Sequence, residues 1–252
     1  MLNQPTMDKL KNLRLKGMYR ALEQQQNDPE INRLSLSFED RLGLLIDAEE
    51  ASRETTNLKN RLKNAKPRTQ ACLENLKKIS ARGLDKSTLT ALAASGWLDQ
   101  GLNVLISGAT GVGKTYLACA LINSACRNGK TALYTRSQRL MQDLAIARVA
   151  GTYRSELLKL AKVDLLAIDD FGLICLPDEN SRDLLEVIDD RAPAKSTIIA
   201  SQLPLDNWHQ TISNPTIADA ILDRVVHNSY KIKMKGESVR QVTAGNITTL
   251  EA

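Results

Sequence analysis

The 252-residue sequence predicts an α/β fold, a five-stranded parallel sheet flanked by helices and preceded by a small all-helical amino-terminal domain. Three observations carry this. From Leu102 onward, short apolar runs alternate with helical periodicity, the pattern of a parallel sheet covered on both faces. Before Leu102, apolar residues recur at helical spacing. Between the first apolar run and the helix after it stands Gly108-Ala109-Thr110-Gly111-Val112-Gly113-Lys114-Thr115, a glycine loop of the kind that joins a strand to a helix. The change of pattern sets the domains at 1–98 and 99–252.

Residues 6–26 read as one helix, with Leu10, Leu13, Met18 and Leu22 near one side, ended by Asn27-Asp28-Pro29. Ser37 followed by Asp40 is an acidic variant of the capping box and opens a long helix through about Ala65, before Pro67. Its apolar positions, Phe38, Leu42, Leu45 and Ile46, thin out after Ala51, so the half carrying Lys59, Arg61 and Lys63 is solvated or partner-bound. Helices near 69–81 and 86–95 complete the domain, and Gly96 marks its boundary. Strands are expected at 103–107, 131–135, 163–168, 196–201 and about 229–233, with helices between them. The end after Gly236 reads as loosely structured.

Charge is unevenly placed. Residues 1–98 hold 17 Lys or Arg against 12 Asp or Glu, whereas 99–252 hold 17 of each, so the whole net charge of +5 is amino-terminal. The densest part runs from Arg53 to Arg82 and includes Lys59, Arg61, Lys63 and Arg68; such a surface suits phosphate, or serves solubility alone. Four cysteines without metal-ligand spacing suit a reducing cytoplasm. No apolar run reaches the roughly 18 residues of a membrane span, and the amino terminus lacks a signal-peptide core. A cytoplasmic protein is expected.

The glycine loop fits the phosphate-loop pattern. Its glycines permit backbone angles that turn successive amides inward around a polyphosphate, and the helix that follows points its positive end at the anion. Lys114 adds a point charge for the outer phosphates and Thr115 a hydroxyl for magnesium, so Gly108 through Tyr116 are the expected nucleotide contacts. Val163 to Asp170 (VDLLAIDD) is an apolar strand ending in two carboxylates, the form of a Walker B element. Asp169 would hold Mg2+ opposite Thr115, and Asp170 would orient and polarise the attacking water. Many relatives place Glu there, one methylene longer. Asp170-Phe171-Gly172 also spells a kinase triplet, but no HRD loop accompanies it. The run STIIAS ends in Ser201 and Gln202; a polar side chain there could reach the terminal phosphate or the water if this strand lies between the two Walker strands, or Ser201 could cap a helix before Pro204. His209 and His227 stand without metal-ligand company, and Trp97 either packs or leans on adenine.

With GATGVGKT, DLLAIDDFG, SQLPLDNWH and ADAILDRVVHNSYKIKMKGESVR in place, the chain resembles the IstB/DnaC group of AAA+ ATPases, and within it the IstB-like transposition helpers, over roughly residues 95–242. The resemblance implies an AAA+ ATPase that binds ATP and Mg2+, assembles as a homo-oligomer on double-stranded DNA and recruits or regulates a cognate transposase. The other branch implies a DnaC-like helicase loader on single-stranded DNA. By resemblance Ser201 falls at the sensor 1 position, Arg224 at the arginine finger that reaches a neighbour's site, and Arg240 in the sensor 2 region. Arg224 could instead pair locally with Asp219 or Asp223. The group also places an extra helix between the second strand and Walker B, which makes Arg139, Arg148 and Arg154 candidates for DNA phosphate, or part of an ordinary charged face.

Overall fold

The structure, a computed structural model, describes residues 3–27, 36–76 and 83–236. In chain order the elements are α1 (Asn3–Asn12), α2 (Lys16–Asn27), α3 (Phe38–Ala65), a 3-10 turn at Leu73–Asn75, α4 (Lys86–Ala93) and α5 (Gly96–Asp99). Then follow β1 (Asn103–Gly108), α6 (Lys114–Arg127), β2 (Ala132–Arg136), α7 (Ser137–Val149), α8 (Tyr153–Lys162) and β3 (Leu165–Phe171). The chain continues through α9 (Asp178–Arg191), β4 (Ser196–Ser201), 3-10 turns at Leu205–Asn207 and His209–Thr211, α10 (Pro215–Val226) and β5 (Ser229–Met234). Two compact units emerge, Met1–Asn60 and Arg61–Ala252.

In the first unit the expected helix 6–26 is two helices, because the chain turns at Arg14, whose φ of 60° lies in the left-handed region. Gly17 is the reason α2 can lie close to α3: a Cβ there would stand 2.3 Å from the Ala48 carbonyl oxygen. The buried Glu49 carboxylate accepts from the amides of Gly17 (2.7 Å) and Met18 (3.2 Å), capping α2 from another helix. Hydrogen bonding to Arg53, together with those amides, holds its pKa below the usual glutamate value against the opposing effect of burial. The capping box forms as read, with the Asp40 amide donating to Ser37 Oγ at 3.1 Å.

The second unit is a parallel sheet in the order β2-β3-β4-β1-β5. Alternate strand residues face opposite ways. Leu105, Leu166, Ile168 and Ile199 join one core with α7 to α10, and α6 covers the other face with Leu117, Leu121 and Ile122 fully buried. Arg191, 1% exposed, ties the start of the sheet together by donating to Thr197 Oγ1 and to the carbonyls of Leu160, Val163 and Ser196.

Residues 61–98, grouped by composition with the amino-terminal domain, pack within the second unit. Arg61 Nε donates to the Cys126 carbonyl at 2.9 Å, and Ser124 Oγ to the Ala93 carbonyl at 3.1 Å. The helix expected at 69–81 is replaced over its described part by an extended strap with the 3-10 turn; residues 77–81 lie outside the described residues. Among the described residues no helix is long and apolar enough to cross a membrane.

Candidate nucleotide site

β1 delivers the glycine loop at its carboxyl end. Gly111 and Gly113 adopt φ of 86° and 105°, and a Cβ on Gly108 would sit 2.4 Å from the Met234 carbonyl oxygen, so the loop lies directly on the end of β5. Gly113 opens α6 in a left-handed conformation, leaving the amides of the first turn directed at the loop. Lys114 folds back with Nζ donating to the carbonyls of Gly108 (2.7 Å) and Ala109 (2.8 Å). The side chain of Val112 is buried, so it offers the site only its backbone.

The two carboxylates at the end of β3 point different ways because the strand is irregular there. Register with β4 slips between Ile168 and Phe171, and Asp170 carries a φ of 57°. A left-handed non-glycine residue costs on the order of 1 kcal/mol and concentrates where aim matters more than comfort. Asp169 stays on the α6 side of the sheet, 1% exposed, accepting from Thr115 Oγ1 (2.6 Å) and from Tyr134 Oη (2.8 Å). Burial first, and then the Asp169 charge, pushes the Tyr134 pKa well up, so the phenol stays a donor. Asp170 turns outward and pairs with Arg136 at 3.7 Å. A threonine hydroxyl and a carboxylate in contact are the hard oxygen donors that suit Mg2+.

A cavity of about 630 Å³ opens over this cluster; Thr110, Gly111, Gly113, Lys114, Thr115, Tyr116, Arg136 and Asp170 line it, as do Gln202 and, from the strap, Arg68, Thr69, Asn75 and Leu76. β4 does lie between β3 and β1, as a sensor strand requires. Its side chain toward the cavity is Gln202, which accepts from Thr110 Oγ1 at 2.7 Å. Ser201 is fully buried instead: its hydroxyl donates to the Phe171 carbonyl at 2.6 Å and accepts from the Leu203 amide at 3.1 Å.

Other expected residues fall elsewhere. Arg224 pairs with Asp189, not with Asp219 or Asp223, and donates to the Ala220 carbonyl. Its own carbonyl accepts from Asn103 Nδ2, at the opposite end of β1 from the glycine loop. Arg240 lies outside the described residues. Of the DNA candidates, Arg61 caps the end of α6 and Arg68 lines the cavity. Arg148 is bound to Asp183 and Glu179 and stacks 4.2 Å over Tyr153, so its charge is spent within the fold. Arg139 pairs with Asp143 one turn on, while Lys59, Lys63 and Arg154 are exposed. Trp97 packs, 3% exposed, with Nε1 on the Leu92 carbonyl. His209 and His227 pair with Asp219 and Asp223. Of the polar pair Ser201 and Gln202 named from sequence, it is Gln202 that faces the cavity, whereas Tyr134 and Arg136 were missed as site residues; the basic Arg136 directly ahead of α7 was the nearest sequence signal.

The family model described as "IstB-like ATP binding protein" matches residues 8–246. The chain is 44% identical over 241 residues to an insertion-sequence ATP-binding protein of Sinorhizobium fredii, y4pL, covering 96% of this chain and 98% of that one. It is 49% identical over 205 residues to the ATP-binding protein of insertion sequence IS1162 of Pseudomonas fluorescens, covering 81% and 88%. Among solved structures, the DnaC helicase loader superposes with a TM-score of 0.52 at 20% identity, covering 69% of this chain and 99% of that one, which is a likeness of fold.

Proposed function

Because the chain belongs to the IstB-like ATP-binding protein family, we propose that it is an ATP-hydrolysing AAA+ protein that assembles on double-stranded DNA and recruits or regulates the transposase of an insertion sequence. The observation that carries this reading is the single cavity in which the glycine loop, Thr115 and Asp170 converge above the Thr115–Asp169 contact. Thr115 and Asp169 would hold Mg2+, which when bound neutralises phosphate charge. Lys114, released from the loop carbonyls, takes the outer phosphates. Asp170 orients a water and accepts its proton as the terminal phosphoryl group leaves ADP.

Arg224 completes the site of a neighbouring copy, so turnover depends on assembly. Lys59, Lys63, Arg139 and Arg154 supply phosphate contacts that do not read sequence. The amino-terminal part, 1–98 by composition, meets DNA or the transposase, in the cytoplasm. ATP held between copies stabilises the DNA-bound assembly by linkage, and its loss releases it.

Electron microscopy with a non-hydrolysable ATP analogue tests this on duplex and on single-stranded DNA of equal length. Ordered assemblies on duplex, absent with Lys114→Ala, are expected. Assemblies on single strands alone would transfer the protein to the helicase-loader reading, and assemblies indifferent to nucleotide would end the coupling.

A further inference from the structure

The segment from the last turn of α3 to Leu76 was read from sequence as helix to about Ala65 and again from about residue 69, with a basic surface that suits phosphate or serves solubility alone; beyond Ala65 it is an extended strap that lies along α6 and reaches the mouth of the nucleotide cavity. Its position is fixed at several points. Arg61 holds the last turn of α6 through the Cys126 carbonyl. Ala65 and Ala71 are buried at 0% and 1% exposure. The Cys72 backbone meets Tyr116 Oη from both its amide (3.5 Å) and its carbonyl (3.4 Å), and Arg127 pairs with Glu74 at 2.6 Å. Arg68 and Thr69 line the cavity together with Thr115 and Tyr116 of the first turn of α6. The strap's apex therefore stands beside the magnesium-ligand end of the site.

Three cations line that cavity. Lys114 is held by the loop carbonyls, Arg136 by Asp170, and Arg68 makes no ion pair with any described residue. We propose that Arg68 is a nucleotide ligand, its guanidinium pairing with the phosphate chain of the bound nucleoside triphosphate from the same subunit, with the strap as the wall that positions it. This rests on the nucleotide reading of the cavity. A guanidinium over exposed glycine-loop amides suits phosphate oxygens, which it meets with paired N–H donors. Because the strap continues directly from α3, which begins in the first unit, nucleotide occupancy is then felt by the segment that joins the units in sequence.

Titration of the full chain with a fluorescent ATP analogue tests the proposal, with wild type, Lys114→Ala, Arg68→Ala, Arg68→Lys and, as a control for loss of one exposed cation, Lys86→Ala compared at matched helical content and melting temperature. Arg68→Ala should weaken binding by about tenfold, as loss of one charge-assisted contact implies. Arg68→Lys should recover part of that loss, and Lys86→Ala should bind as wild type does. The slope of DNA affinity against salt should be the same for Arg68→Ala and wild type. Nucleotide binding unchanged in Arg68→Ala would overturn the proposal, and a reduced DNA salt slope alongside it would return Arg68 to a DNA surface. Wild type that binds no better than Lys114→Ala would instead remove the nucleotide reading itself, and the proposal with it.

Discussion

Replacing Arg224 by alanine separates a residue that serves its own subunit from one that serves a neighbour. The Arg224 carbonyl is hydrogen-bonded at Asn103, the first residue of β1, and the glycine loop starts at the last residue of that strand. The five steps from the first to the last of its six residues, at about 3.3 Å each, put roughly 16 Å between the two, beyond the reach of one arginine side chain. Its partner Asp189 is no strong competitor: the two side chains are 38% and 42% exposed, and a surface pair is worth at most about 1 kcal/mol. An arginine on a transferred phosphoryl group lowers the barrier by about 4–7 kcal/mol, equivalent to roughly 10³–10⁵ in rate. In the transition state, exchange of Asp189 for a neighbour's phosphate would therefore be favoured by several kcal/mol. Arg224→Ala should bind ATP as wild type does and lose turnover by about 10³ or more, read by phosphate release on duplex DNA. Mixing it with Lys114→Ala, which is expected to bind no ATP, should restore part of the activity, because an Arg224→Ala site beside a Lys114→Ala subunit can then receive an intact arginine. Wild-type turnover in Arg224→Ala, or a mixture no more active than its components, would refute the trans assignment.

Two further outcomes follow from the geometry. Asp170→Asn should retain nucleotide affinity while turnover falls by about 10²–10⁴, the worth of a positioned base; undiminished phosphate release would strip Asp170 of that role. Asp164, at the foot of β3, tests stability. Burial opposes its ionisation, but Lys195 at 2.6 Å, with the Thr131 amide and hydroxyl, outweighs it and brings the pKa from 3.8 to about 2. A depressed carboxylate stabilises above its unfolded pKa and loses that contribution as pH falls through the folded one. Melting temperature should therefore drop between about pH 4 and pH 2 in wild type. Asp164→Asn should be less stable at pH 7 by about 1–2 kcal/mol after solvent screening and flatter across that window; a parallel acid profile would count against it.

The sheet was legible because its central strands β1, β3 and β4 are buried on both faces and read as apolar runs: the expected starts at 103, 196 and about 229 match, and the others fall within two residues. The glycine loop and Walker B carboxylates were legible for the same local reason. What was hidden depends on partners distant in sequence. Gly17 looks like an ordinary helix defect until α3 crosses it at Ala48. Leu73 and Leu76 keep helical spacing, yet the chain there is drawn along α6 by Tyr116 and Arg127. Arg61, Arg148 and Ser201 are polar residues whose partners, Cys126, Asp183 and Phe171, come from other elements, and no spacing rule discloses them.

At the end of β4, Ser201 and the next residue, Gln202, are tied to different halves of the candidate site. Ser201 grips the backbone at Phe171, next to Asp170, and Gln202 grips Thr110 in the glycine loop. Whatever draws Thr110 toward a phosphate tugs the same short peptide that seats Phe171 against Trp208, 5.1 Å between ring centres. The molecule therefore carries a tether one residue long between the glycine loop and the strand end that holds Asp170, and lengthening that tether would slacken both.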